Sequence, residues 1–492
     1  MGVIRKQSIQ TSLLSYLGVV LGYINVVLLF PKFFEPEEFG LTRVLIAVIG
    51  VAAQFALFGL SNAIIRFFPK FKEGDEKSQH GMLGWALLSG FLGTVVVAAV
   101  LLVVKPWVVG YYQEKSELFV HFYYLLFPYL LFEVCFQIFS SYTRALYHAV
   151  VNVFFRELFL RATGTLLILL YYLGWVDFEL FMQLFIAQFG ITAAGLAIYL
   201  MLIGNFSLKV DREFLASGIG PELKHYRMFT LLSSVSALFL MNIDVIMISA
   251  MIGLGQTAFY AVAFYIVALM NIPRNAISNI AVPVIADAWK RDDRAEIQKI
   301  YAKTSINQLL LGTLLFVGIW ANEANIFQIL PEEYADGKWV LFFVGLARLA
   351  DVGFGVNGGI ITTSNHYKFD TYSNLVLMMV TVVLNLIFIP IHGITGAAIA
   401  TGISLLSFNV AKYLFLKMKF GFEPFTWKSL ATLLLGGLAY YASTFLPKQD
   451  LLIDIVVRST IVSMIFVPVA VGLRLSPDAM EFVVAIRKRF GI

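Results

Sequence analysis

The sequence predicts an all-α membrane protein. About fourteen transmembrane helices are expected, as two six-helix lobes related by a pseudo-two-fold axis along the membrane normal, plus two helices at the C-terminal end. Three observations predict this. Apolar stretches of roughly 17–25 residues, each able to cross a ~30 Å hydrocarbon core as a helix, recur from Ser8 to Gly472 with mostly short connectors. Hydrophobic residues make up 59% of the chain and charged residues 14%, against about 25% charged in soluble domains. Lipid offers no partners to backbone N–H and C=O groups, so segments this apolar must be helical. The third observation is an internal echo between the two halves of the chain.

Taken in order, the first span, 8–31, follows a short polar start with Arg5 and Lys6. No small-residue cleavage pattern precedes Pro31, so it reads as a helix and not a removable leader. Spans 40–66, 82–104, 118–140, 157–173 and 179–204 complete an N-terminal lobe, 1–204. Residues 205–226, with Gly218, Gly220 and Pro221, form a cytoplasmic inter-lobe linker. Spans 227–251, 257–281, 305–322, 338–361, 371–389 and 394–415 make the C-terminal lobe, 227–415. Spans 429–446 and 453–472 lie in 416–472, and 473–492 is a cytoplasmic amphipathic tail in which Ser476-Pro477 starts a helix. Phe482, Val483, Ile486 and Phe490 would face lipid there, with Arg487, Lys488 and Arg489 near headgroups. Ile285, Trp289, Ile297, Ile300 and Tyr301 recur at near-helical spacing among basic residues, which predicts a second surface helix against the membrane.

Lys and Arg are divided unequally between the two sides. Connectors on the side of the N-terminus hold 27 and those on the other side hold 6. This positive-inside asymmetry predicts that both termini are cytoplasmic. The outer connectors are too short for a catalytic domain outside the membrane. The net charge of +5 is scattered over connectors, which excludes a nucleic-acid surface. The single cysteine, Cys135, excludes an intrachain disulfide and a cysteine metal site. The six histidines form no i,i+4 pair and no Gly-x-x-x-x-Gly-Lys loop is present, so neither a metal, a cofactor nor direct ATP use is expected.

The echo has an offset of about 218 residues. Phe39-Gly40 opens the second span and Phe259-Tyr260 the eighth; Pro69 and Pro283 end them. Ser141 to His148, an apolar run and Gly174-Trp175 parallel Thr362 to His366, an apolar run and Gly393-Ile394. Two six-helix repeats of like orientation are a transporter plan.

These residues resemble a family. The run Pro390-Ile391-His392-Gly393-Ile394-Thr395-Gly396-Ala397-Ala398-Ile399-Ala400-Thr401 is similar to a turn between the eleventh and twelfth helices of the polysaccharide transporters. These are the lipid-linked oligosaccharide flippases of the multidrug/oligosaccharidyl-lipid/polysaccharide exporter superfamily. Glu37-Glu38-Phe39-Gly40 resembles the family's first outer turn, and Gly59 to Arg66-Phe67 its second-helix end. Ala258-Phe259-Tyr260-Ala261-Val262-Ala263 departs from the usual Gly-x-Tyr-x-x-Ala at Ala258. The resemblance covers nearly the whole chain, but its motifs are turn and packing motifs.

Charges inside a bilayer cost roughly 2.5 kcal/mol or more and usually face a cavity or a partner. Arg348 and Asp351 share a helical face at i,i+3, either as a neutralised structural pair or as cavity residues. Arg274 follows Pro273, where a kink is expected, and has no acid within four residues, so it is expected to line water or meet an anion. The resemblance strengthens this, because lipid II flippases of this fold carry cavity arginines on the eighth helix. Asp244 and Glu133 lack a sequence-local cation; with Asp351 they are the candidates for coupling to H+ or Na+, against a purely structural hydrogen-bonded role that is the favoured reading for Glu133. Arg66, whose default is to snorkel at a span end, and Asn25 and Asn242, which either line a cavity or bond between helices, are further candidates for a substrate cavity, and Arg458 is expected to snorkel.

The resemblance implies a flippase that moves an undecaprenyl diphosphate-type lipid-linked oligosaccharide from the cytoplasmic to the outer leaflet by alternating access. Its setting would be the bacterial inner membrane, in the biosynthesis of a surface polysaccharide such as lipopolysaccharide. Membrane lipids and polysaccharide-assembly proteins are the other partners it implies. Two alternatives are a cation-coupled multidrug antiporter of the same superfamily and, from another class, a membrane-embedded glycan polymerase or ligase. Neither the leading reading nor the antiporter is an enzyme.

Overall fold

In a computed structural model, the structure describes residues 2–72, 81–211, 219–476 and 478. Every regular element among the described residues is helical. Among the described residues, nine helices are long and apolar enough to cross a membrane, or up to eleven if each of two bent pairs is one span. The difference from the expected fourteen has physical causes. Tyr367–Phe420 runs on as one 54-residue element, although its backbone is non-helical at Gly393. The stretch from Ala149 to Tyr172 is divided by a π-helical turn, Phe154–Phe159. Trp427–Thr444 is only 18 residues long and has polar ends.

The chain divides into two compact units, Met1–Ala258 and Phe259–Ile492. The first contains α1 (Gly2–Tyr23, continued by a π-turn, Ile24–Leu29), α2 (Pro36–Leu57), α3 (Leu60–Lys72), α4 (Met82–Tyr112), α5 (Leu126–Ala145), α6 (Leu160–Tyr172), α7 (Phe178–Leu202) and α8 (Gly220–Met251). Glu35 and Glu38 form a reciprocal capping box at the start of α2, with Pro36 where its missing N–H costs nothing. The span expected over 40–66 is two helices, because Phe58 takes a left-handed conformation between α2 and α3. Helix α8, which the repeat places at the head of the second lobe, packs on α2.

The helix α9 (Leu254–Val267) leads into the second unit. There follow α10 (Asn271–Lys290), α11 (Arg294–Ala321), α12 (Glu323–Ile329), α13 (Lys338–Gly353), α14 (Asn357–Thr363), α15 (Tyr367–Phe420), α16 (Trp427–Thr444) and α17 (Leu451–Gly472). The last two pack against α11 around Leu435, Ala439, Val462 and Phe466. Arg458 does not snorkel freely. It donates to Asp454 at 2.6 Å and to the Ser443 carbonyl at 2.8 Å, which closes the end of α16.

The surface helix expected around 285–301 is absent. Ile285 ends α10, Ile297 and Tyr301 begin α11, and all three are fully buried in one cluster with Ile360 and Leu416. The near-helical spacing came from two helix ends joined by a turn at Asp292, which has φ 51°. The expected tail helix lies almost wholly outside the described residues, as do 212–218 of the linker.

The turn motif at 390–401 has a clear local cause. Gly393 has φ 58°, which side chains disfavour, and it breaks α15 into two arms. A Cβ at Gly396 would lie 2.0 Å from the Phe388 carbonyl oxygen, so only glycine lets the arms close. Ala397, Ala398 and Ala400 are then fully buried.

Candidate functional site

The second unit gathers its intramembrane charges around one carboxylate. Asp351 lies near the end of α13, just before the 49° bend to α14. One of its oxygens, Oδ2, is 3.4 Å from Arg274 Nη2 and 4.0 Å from Arg348 Nη1. The other, Oδ1, accepts from Asn409 Nδ2 at 2.9 Å, and Asn409 Oδ1 accepts from Asn357 Nδ2 at 2.9 Å. Helices α10, α13 and the second arm of α15 therefore meet on one buried anion, and α14 joins them through Asn409.

A second pair adjoins it. Lys412 Nζ is 2.5 Å from Asp370 Oδ1 and 3.9 Å from the Phe408 ring centre. Asn374 donates to the other Asp370 oxygen at 3.0 Å. A Cβ on Gly358 of α14 would come within 3.3 Å of Lys412 Nζ, so the ammonium sits directly under that helix. Three cations and two carboxylates leave one net positive charge. The side chain of Arg274 is 35% accessible, against 17% for Arg348 and 7% for Asp351 and Lys412. Its guanidinium carries five donors and makes one long carboxylate contact among the described residues. The irregularity expected at Pro273 takes the form of a 3₁₀ turn, Ala268–Met270, just before α10. Chemically, the cluster is a fixed set of donors around a partly open cation, suited to an anionic group such as a phosphate.

The sequence brought Arg274, Arg348 and Asp351 forward, and the structure places them together. It places the others elsewhere. Glu133 is buried in α5, and its cation comes from 23 residues later: Arg156 Nη1 donates to Glu133 Oε2 at 2.9 Å. Arg66 is exposed and lies over the Tyr226 ring at 4.3 Å. Asn25 is buried and bonds between helices, donating to the Arg161 carbonyl at 2.8 Å and accepting from Thr165 at 2.7 Å. Asn242 donates to the Leu238 carbonyl one turn back at 2.7 Å, and Asp244 is buried in α8.

Lys412, Asp370, Asn409 and Asn357 were not singled out from the sequence. Lys412 read as a connector charge because the apolar run fades near residue 415. The helix continues to Phe420, which puts Lys412 two turns inside it. The available signal was the lack of any helix stop between Gly402 and Gly421.

The comparisons with known proteins agree with this architecture. The profile of the family described as "Polysaccharide biosynthesis protein" matches residues 4–289. A probable low-salt glycan biosynthesis flippase, Agl15 of Haloferax volcanii, is 21% identical over 235 residues. The capsular polysaccharide biosynthesis protein CapF of Staphylococcus aureus is 21% identical over 176 residues. These matches cover 47% and 36% of this chain, and the chain spans only 50% and 44% of the two relatives' lengths. Among solved structures, the lipid II flippase MurJ in an inward closed conformation superposes with a TM-score of 0.75 at 14% identity, over 94% of this chain and 99% of that one. An inward-facing multidrug resistance MATE transporter gives 0.60 at 16% identity, over 83% and 94%. The protein is thus a multi-pass membrane protein with the fold shared by MurJ and the MATE transporters. With more than half of its length matched, the chain belongs to the polysaccharide biosynthesis protein family.

Proposed function

We propose that the protein flips a lipid-linked oligosaccharide of the undecaprenyl diphosphate type from the cytoplasmic to the outer leaflet by alternating access. The process it serves is cell-surface polysaccharide biosynthesis, such as that of lipopolysaccharide, in a bacterial inner membrane. The observation that carries this reading is the partly open guanidinium of Arg274 in a buried cluster of net positive charge. A diphosphate leaving water needs cations where water is scarce, and a guanidinium donates to phosphate oxygens bidentately while staying charged. The glycan follows the diphosphate through the hydrated path while the polyprenyl tail stays in lipid.

In the resting state Asp351 holds Arg274, Arg348 and Asn409 in place of the substrate. Arrival of a phosphate exchanges one anion for another at Arg274, and H+ or Na+ at Asp351 would favour that exchange. Asp244 and Glu133 are further coupling candidates. A cationic drug fits the cluster poorly, since both of its carboxylates are already paired. The short outer connectors also speak against a polymerase or ligase.

The test is complementation of surface glycan in a strain lacking the gene, with orientation checked in the same cells. Replacing Cys135 and adding single cysteines should give outside labelling at Lys115 and none at Asp292. Strong outside labelling at Asp292 would reverse the orientation. Failure of the wild-type gene to restore any glycan would remove the flippase reading.

A further inference from the structure

The internal repeat extends to the chemistry. Residues His148 and His366 are 218 apart, and each is the N-cap of the helix that follows, with φ −103° in both. The same step of 218 carries Glu133 onto Asp351. Both carboxylates are buried, and they are held in the same way. One oxygen of each faces an arginine: Arg156 at 2.9 Å for Glu133 and Arg274 at 3.4 Å for Asp351. The other oxygen of each accepts from a side-chain amide at 2.9 Å, Gln137 for Glu133 and Asn409 for Asp351. Each amide oxygen in turn accepts from a second amide, Gln54 at 3.1 Å and Asn357 at 2.9 Å. The carboxylates sit at equivalent places in the repeat, yet the arginines come from non-equivalent helices, so the arrangement has been built twice with different parts.

Arg156 is also the more accessible of the two arginines, with a side chain 43% exposed, and no residue of the π-turn that carries it is fully buried. Glu133 is its one hydrogen-bond partner among the described residues, so most of its donors remain open. It stands on the π-turn Phe154–Phe159, a helix irregularity that is often found at functional positions. A purely structural counter-ion would be expected to be enclosed with its carboxylate.

We infer that Arg156, positioned by Glu133, is a second phosphate-binding site, in the first unit, of the same kind as Arg274 with Asp351. Its ligand class is the diphosphate of a polyprenyl-linked substrate, so it rests on the reading of the protein as a carrier of such lipids. Substrate phosphate displaces the Glu133 carboxylate from part of the guanidinium, and Gln137 keeps that carboxylate in place.

The discriminating experiment uses the full chain in nanodiscs titrated with undecaprenyl diphosphate. Wild type is compared with Arg156→Gln, Glu133→Gln, the double variant Glu133→Gln/Arg156→Gln and Arg274→Ala. Arg156→Gln alone strands a buried carboxylate and can fail to fold, whereas the double variant removes both charges and keeps the amide network. The expected result for Glu133→Gln is an affinity between wild type and the double variant, because the guanidinium is kept and the carboxylate that positions it is lost. The double variant should lose about tenfold in affinity, or one of two sites per chain, at normal abundance. Wild-type binding by the double variant would make the ion pair structural only and overturn this inference, leaving the Arg274 site intact. A flat isotherm for wild type would overturn the diphosphate reading itself and this inference with it.

Discussion

Arg274→Ala is expected to abolish surface-glycan export while membrane abundance stays near wild type. Two charge-assisted hydrogen bonds to phosphate, each worth about 1.5–3 kcal/mol, correspond to a loss of about a hundredfold or more. Abundance should hold because Asp351 is not stranded. It keeps Asn409 at 2.9 Å and Arg348 at 4.0 Å. Arg274→Lys should recover only part of the export, since a lysine restores the charge but not the planar fork. The measurement is glycan complementation normalised to quantified membrane protein. Full export by Arg274→Ala at normal abundance would remove this residue from the substrate path.

Lys412→Ala should act differently, through stability. Lys412 and Asp370 join the two arms of α15 at 2.5 Å, with side chains only 7% and 16% accessible. Removing the ammonium leaves a largely enclosed carboxylate that keeps its hydrogen bond from Asn374 at 3.0 Å. Breaking one side of such a pair costs about 3–5 kcal/mol. The expected outcome is a several-fold fall in membrane abundance and a lower unfolding temperature in detergent. Replacing Asp370 by Asn in the same chain should restore most of both. A single Lys412→Ala variant as stable as wild type would show that the pair does not hold the arms together.

The parts of this protein that a sequence reader can see are those governed by local rules. Span length and hydropathy follow from bilayer thickness, so the helices near 82–112 and 178–202 were legible directly. The turn motif at 390–401 was legible because Gly393 and Gly396 answer to backbone geometry. Arg274, Arg348 and Asp351 stood out because charge is costly in lipid. The i,i+3 pairing of Arg348 with Asp351 was legible, but the arrival of Arg274 was not, since Arg274 and Asp351 are 77 residues apart in sequence and only packing brings α10 to α13. Glu133 lacked a cation for the same reason until α5 met the π-turn bearing Arg156. Lys412 and Asp370 were hidden by their nearness to span ends, where a charge reads as solvated. The apparent surface helix at 285–301 failed because helical spacing continued by coincidence across a turn.

We propose that a diphosphate-bearing lipid crosses the membrane through this protein by way of Arg274. The most direct measurement is leaflet transfer in proteoliposomes, using a fluorescent undecaprenyl diphosphate-linked sugar and an impermeant quencher. Wild-type protein should move the labelled lipid to the opposite leaflet faster than empty vesicles, and Arg274→Ala should return the rate to that background. Equal rates for wild type and Arg274→Ala, or transfer no faster than empty vesicles with correctly inserted wild-type protein, would contradict the account.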